Sequence, residues 1–232
     1  MTDDGGIAEL VRGALSEALA LLLPVVCAGC GAPDTTLCDD CTAAVAPCPL
    51  ARMVDAPGGG VTVWSGLVFD GVAARVIRAL KEEGRTPLAR ALAPALTAAA
   101  RRLDARDAVL VPLPTSRGAY RRRGFRVPDL LAARAGLPVA RLLQPVRRTG
   151  DQRRLDREGR RRNVAQSLSA APCEGRRVIV LDDVITTGAS VEEAVRALRA
   201  AGADVIGAVT VAATPRRANE RRPRGVAFET HR

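Results

Sequence analysis

Aromatic residues, lysine and histidine are nearly missing from these 232 residues. Phe, Tyr and Trp together make up 2% of the chain, so a core must be packed with aliphatic side chains. Stacking platforms for unpaired bases are few, chiefly Trp64, Tyr120 and Phe125. The one histidine, His231, sits in a basic C-terminal tail, which argues against histidine-based proton transfer or histidine ligation of zinc. Lys81 is the only lysine in a chain of net charge +10. The arginine bias reflects base composition as much as function. The charge favours anionic partners, nucleic acid or phosphorylated substrates, without choosing between them. No apolar run reaches the ~20 residues of a membrane span. Ala18 to Leu23 is apolar enough for a signal core, but Asp3, Asp4 and Glu9 precede it where a signal carries positive charge. An amphipathic N-terminal helix ending at Pro24 and a cytoplasmic location are therefore expected. There is no internal repeat.

What the chain does contain is organised around Val178 to Ser190, V-I-V-L-D-D-V-I-T-T-G-A-S. Val178, Ile179, Val180 and Leu181 predict a strand buried on both faces of a parallel sheet, ending near Asp182. Two carboxylates follow, then a Thr-Thr-Gly turn and a helix from about Ala189 to Ala201. Backbone N–H groups of a turn that opens a helix suit a phosphate. Carboxylates beside a phosphate make sense if they hold sugar hydroxyls or a Mg²⁺ water shell. A P-loop nucleotide site also pairs a hydrophobic strand with acidic residues, but it needs an upstream G-x-x-x-x-G-K-[ST], and Lys81 is followed by Glu82.

A second cluster is C-A-G-C, seven residues, then C-D-D-C: Cys27, Cys30, Cys38 and Cys41. Two C-x-x-C knuckles at this separation suit four thiolates around one tetrahedral Zn²⁺. Disulfides are the rival reading, disfavoured in a reducing compartment. Cys48 and Cys173 read as plain thiols.

Pro47 to Gly60 is rich in Pro and Gly and reads as a linker. Val61 to Phe69 predicts a strand or hairpin, and Asp70 caps a helix that carries Val72, Val76, Ile77 and Leu80 and ends at Lys81. Thr86 and Pro87 open a second helix running to about Leu103. Ala108 to Ser116 is an apolar strand that breaks at two prolines into a Thr/Ser turn, and Arg117 to Arg126 is arginine-rich. A strand ending in such a turn can present charge to a pyrophosphate at the carboxyl edge of a sheet; a solvated basic loop is the alternative. Val127 to Ala135 predicts a helix. The polar stretch from Arg147 to Arg162 carries eight arginines and is expected to be mobile without an anion. Asp204 to Ala213 predicts a strand that completes a parallel βαβ unit.

The strand and turn at Asp182 to Ser190 resemble the phosphoribosyl pyrophosphate (PRPP) loop of type I phosphoribosyltransferases. With the paired C-x-x-C knuckles, Lys81, V-P-L-P-T-S at Val111 to Ser116, R-R-G-F at Arg122 to Phe125, Gln152, Leu155 and Arg162-Asn163, the order from Cys27 to Ala213 resembles the ComF/GntX family. The chain departs from that family where Arg126-Val127 stands for the usual Asn-Gln, and Leu168 for a usual Phe.

The resemblance implies an α/β type I phosphoribosyltransferase fold with a parallel sheet and a small N-terminal four-cysteine zinc module. The expected division is a module over 1–56, a phosphoribosyltransferase domain over 57–214 and a disordered basic tail over 215–232. It implies that Asp182 and Asp183, the catalytic pair, contact the ribose hydroxyls of PRPP, and that Thr186, Thr187, Gly188, Ala189 and Ser190 wrap its 5′-phosphate. Thr115, Ser116 and Arg117 would approach the pyrophosphate, with Lys81 a further PRPP-binding residue and Arg162 closing over it. The implied function is transfer of phosphoribose to an unidentified acceptor with Mg²⁺, in DNA uptake, natural competence or recombination. The alternative is a single-stranded DNA-binding accessory protein in which PRPP only regulates or transfer has been lost. Implied partners are PRPP, single-stranded DNA and DNA-uptake or helicase machinery.

Overall fold

The computed structural model describes residues 25–105, 107–146 and 166–215. The predicted N-terminal helix, the arginine-rich stretch from Arg147 to Arg162 and the tail beyond Pro215 lie outside these residues.

Five strands form one sheet in the order β1 (Leu50–Val54), β2 (Val61–Val68), β7 (Asp204–Ala213), β6 (Arg177–Ile185), β3 (Val109–Pro112). β1 runs antiparallel to β2, and every other pairing is parallel. Parallel strands need helical crossovers, which cover both faces of the sheet. On one face lie α2 (Gly71–Glu82), α3 (Leu88–Ala100) and α5 (Val127–Arg134); on the other lies α6 (Ala189–Ala200). The fully buried residues of both interfaces are aliphatic, as the shortage of aromatics requires. The four apolar residues of β6 divide between them. Ile179 and Leu181 pack with Ile77, Leu80, Leu92 and Leu131, whereas Val178 and Val180 pack with Val191, Val195 and Leu198. All four are fully buried, at 0% exposure.

Three local expectations change. The Pro/Gly stretch read as a linker contains β1, whose Val54 pairs with Val61 across the Gly-rich turn of a β-hairpin. Leu50, Arg52 and Val54 face inward while Ala51 and Met53 are exposed, so the stretch has a strand's period of two despite its flanking turn residues. The basic segment after Ser116 is a short helix, α4 (Arg117–Arg123). The Ser116 hydroxyl accepts from the Ala119 N–H at 3.2 Å, and Gly124 ends the helix in a left-handed conformation. Finally, β6 continues past Asp182 to Ile185, because β7 still pairs with it through Ile185 and Ala213. A small antiparallel pair, β4 (Leu143–Pro145) and β5 (Leu168–Ala170), packs against α6. The cysteine module, with α1 (Asp39–Ala44), docks at the N-terminal end of α2.

Candidate active site and cysteine centre

β3 pairs with β6 only as far as Leu181, so Asp182 is the first β6 residue with no strand on that side. Successive strand residues face opposite sides of a sheet, and the two carboxylates separate accordingly. Asp183 turns to the α2 face, where Lys81 Nζ lies 2.9 Å from its Oδ2. Asp182 turns to the α6 face and borders a cavity of about 260 Å³ with Leu113, Pro114, Ser190 and Glu193. Each carboxylate also accepts the next residue's N–H at 2.8 Å, which fixes both side chains. Burial, and then the Asp183 charge beside it, pushes Asp182 up to about 8. The lone lysine therefore sits where the acidic pair needs a counter-charge.

The turn from Thr186 to Ser190 follows directly. Thr186, Thr187 and Ser190 are exposed, and Gly188 precedes α6 with φ +94°, a conformation that favours glycine. The N–H groups that open α6 face the same edge of the sheet as the carboxylates, an arrangement suited to an anion. β1 holds this turn from behind. Arg52 Nη1 donates to the Thr186 carbonyl at 2.8 Å, and a Cβ on Gly188 would lie 3.0 Å from Val54 Cγ2.

In the N-terminal module, the Sγ atoms of Cys27, Cys30, Cys38 and Cys41 all lie within 4.8 Å of one another. Cys38 Sγ is 3.7 Å from both Cys27 Sγ and Cys30 Sγ. Zn–S bonds of about 2.3 Å in a tetrahedron put sulfurs roughly 3.8 Å apart; a disulfide needs about 2.05 Å. The spacing thus fits a shared tetrahedral metal and excludes the disulfide reading for these four. Cys27 Sγ accepts the N–H groups of Gly29 and Cys38, each at 3.4 Å. Burial opposes its ionisation, but the N–H groups of Cys38, Cys30 and Gly29 prevail and lower it to about 5. Burial and the neighbouring thiols push Cys41 up to about 12. A Cβ on Gly29 would run into Cys41 Sγ, so the first knuckle needs glycine there. Arg75 donates to the Gly29 carbonyl, and Arg85 Nη2 donates to the carbonyls of Val26 at 2.6 Å and Thr36 at 3.1 Å. Arg75 lies on α2 and Arg85 just beyond it, so the centre is tied to the helix that carries Lys81. Cys173 is buried against the Ala201 carbonyl, and Cys48 is exposed; neither joins the centre.

The description "phosphoribosyl transferase domain" matches residues 121–228. The chain is 31% identical over 204 residues to the DNA utilization protein YhgH of Escherichia coli O157:H7, covering 78% of this chain and 86% of that protein. It belongs to the ComF/GntX family. Competence protein F of Haemophilus influenzae is 33% identical over 106 residues, 42% of this chain and 46% of that protein. Orotate phosphoribosyltransferase of Staphylococcus saprophyticus is 50% identical over 44 residues, 19% of this chain and 22% of the enzyme. Apart from YhgH, the chain thus spans about half or less of these relatives.

Within this family member, the expected site residues fall into three groups. Lys81, Asp182, Asp183 and the 186–190 turn come together at one sheet edge. Thr115 and Arg117 line a neighbouring cleft, across the Leu113–Pro114 segment from the Asp182 cavity, while Ser116 spends its hydroxyl on capping α4. Arg162 lies outside the described residues. Two contributions were missed in the sequence. One is β1, with Arg52 and Val54 behind the turn. The other is Glu193, 3% exposed, whose carboxylate accepts the Leu168 N–H at 2.9 Å and pairs with Arg196 Nε at 2.7 Å. Arg196 Nη2 donates to the Leu168 carbonyl at 2.8 Å. Both backbone groups of Leu168 are therefore held by α6. Burial opposes the charge on Glu193, but Arg196 and the backbone N–H groups hold its carboxyl below the usual range. A Glu-x-x-Arg pair on a predicted helix signals only a surface ion pair. Its burial, and its hold on a strand 25 residues earlier in the chain, depend on the tertiary fold.

Proposed function

We propose that this ComF/GntX protein binds PRPP with Mg²⁺ at the Asp182–Ser190 edge and transfers its phosphoribosyl group to an acceptor. The observation that carries the reading is the convergence of a split carboxylate pair, its lysine counter-charge and an exposed Thr/Gly turn opening α6. Asp182 and Asp183 accept from the ribose 2′- and 3′-hydroxyls. The turn donates backbone N–H groups to the 5′-phosphate. Lys81 offsets the charge of Asp183, so the edge does not repel a polyphosphate. Mg²⁺ would supply neutralisation of the pyrophosphate as its bond to C1 of the ribose breaks. Thr115 and Arg117 stand on the pyrophosphate side, with Arg162 as a third contact. The chemistry needs no histidine, in keeping with the composition.

Cys27, Cys30, Cys38 and Cys41 hold a structural Zn²⁺ in this reading. Four thiolates leave no open position for catalysis. The biological setting is DNA uptake, natural competence or recombination, supported by the names of the competence and DNA-utilization relatives. A second reading, a single-stranded DNA-binding accessory with PRPP as regulator, is favoured by one observation. α4 has no buried residue, and it exposes Arg121, Arg122 and Tyr120, the last at 41%.

A pyrophosphate-release assay tests transfer, using PRPP, Mg²⁺ and a panel of nucleobases and oligonucleotides. Release is expected with one acceptor class, and not from the Asp182→Asn/Asp183→Asn protein. Absence of release across the panel, with salt-sensitive anisotropy shifts on a labelled single strand, would favour the accessory reading.

A further inference from the structure

Lys81 reaches Asp183 from the last turn of α2, and helix ends are where a helix frays. The buried face of α2, with Val76, Ile77 and Leu80, seats the helix on the sheet. Lys81 lies outside that face, its long side chain 27% exposed, so its ammonium keeps one place only if the turn that carries it does. That turn is closed by backbone and then by a side chain. The N–H groups of Glu83 and Arg85 both donate to the Ala79 carbonyl, at 3.2 and 3.3 Å, with Gly84 between them at φ +69°. The Arg85 side chain, 20% exposed, donates through Nη2 to the carbonyls of Val26 at 2.6 Å and Thr36 at 3.1 Å. Both acceptors belong to the cysteine loops. Val26 adjoins Cys27, and the Thr36 carbonyl also accepts the Ala28 N–H at 3.0 Å. Nearer the start of α2, Arg75 donates to the Gly29 carbonyl. Gly29 lies inside the first knuckle, and its own N–H donates to Cys27 Sγ at 3.4 Å.

The three acceptor carbonyls are thus placed by the same loops that bring the four thiols together. Arg75 and Arg85 carry that geometry to α2 on either side of Lys81. We propose that Arg85, assisted by Arg75, is a positioning residue, tying the last turn of α2 to the cysteine module so that Lys81 is held against Asp183. The module then acts on the acidic edge without touching it, a role beyond folding. A clamp that only attached the module would leave Lys81 in place when removed. With Lys81 displaced, the charge of Asp183 is uncompensated towards an incoming polyphosphate. This loss of affinity rests on the PRPP reading given above, whereas the placing of Lys81 does not.

Lys81 is the only lysine of the chain, so its rate of acylation, read by mass spectrometry of the peptide that carries it, reports its pairing without any ligand. The Asp183→Asn protein supplies the rate of the released amine. Arg85→Ala is expected to raise the parent rate towards that value with zinc content unchanged, since the Arg85 contacts are to carbonyls and not to sulfur. Arg85→Lys keeps a cationic donor and is expected to recover part of the protection. Isothermal titration should show PRPP with Mg²⁺ bound about two- to tenfold more weakly by Arg85→Ala, the worth of one ordinary hydrogen bond. Adding Arg85→Ala to Lys81→Met should bring no further loss. Should the parent bind no PRPP, the acylation rates still test the clamp. An unchanged Lys81 rate in Arg85→Ala, or an equal loss of PRPP affinity with and without Lys81, would overturn the proposal. If Arg85→Ala does not fold or loses its metal, Arg85→Gln, a shorter and uncharged donor, is measured in its place, with the same expectation and the same refuting results.

Discussion

Glu193→Ala removes one of the two α6 side chains that hold Leu168, the β5 residue paired with Pro145. Two contacts with measurable consequences disappear. One is the charge-assisted bond from the Leu168 N–H, ordinarily about 1.5–3 kcal/mol. The other is the pair with Arg196, whose partner is 3% exposed but which is itself about a third exposed. The 3–5 kcal/mol typical of breaking a fully buried pair must be discounted for that solvent access. A net loss of about 2–4 kcal/mol follows, or a fall in Tm of roughly 4–16 °C for a domain of this size. Differential scanning calorimetry at pH 7 reads it. The pH dependence supplies an independent check. The Glu193 carboxyl lies below its ordinary value in the folded protein, so its stabilisation is fully present above the unfolded carboxyl value, ~4.3. It is lost as pH falls through the lower folded value. The Tm gap between parent and Glu193→Gln should be constant from pH 5 to 7 and close on further acidification. A Glu193→Ala protein that melts within about 1 °C of the parent, or a gap that widens in acid, would refute the reasoning.

Three other outcomes follow from the same geometry. Cys38→Ser should bring zinc content from one per chain towards none and loosen the Arg75 and Arg85 contacts, checked by metal analysis and by proteolysis of the N-terminal part; unchanged zinc would remove the assignment. Arg52→Ala frees the Thr186 carbonyl and should weaken PRPP binding about tenfold, with Arg52→Lys recovering part of it; equal affinity would show that β1 does not hold the turn. Asp182 ionises near 3.8 in the unfolded chain but near 8 in the folded one. Between those values the folded state binds more protons, so this group's contribution to stability falls as pH rises. Affinity for PRPP, which needs the carboxylate, should rise towards pH 8, and Asp182→Asn should flatten both slopes.

Much of the site is legible because its residues are contiguous. Val178 to Ser190 carries strand, carboxylates, turn and helix start in one stretch, so local rules reach the right chemistry. The two cysteine knuckles are local in the same sense. Lys81 stands out by its rarity and by its place in the family pattern, but its partner 102 residues away becomes visible only once the end of α2 meets β6. β1 was hidden because Pro47, Pro49 and Gly58 to Gly60 dominate its flanks, while the partners that make it a strand are on β2. The segment after Ser116 looked like a loop because every contact that identifies a helix there is a cap, and its side chains bury nothing. The far end of β6 was set too early because carboxylates ordinarily stop a buried strand, whereas β7 continues to supply backbone partners on one side.

Binding of PRPP at the Asp182–Ser190 edge is read by isothermal titration of PRPP into the full chain, with and without Mg²⁺ and alongside the Asp182→Asn/Asp183→Asn protein. One saturable Mg²⁺-dependent site per chain is predicted, weakened at least ten- to hundredfold by the double substitution. No saturable binding, or equal binding by the substituted protein, would contradict it.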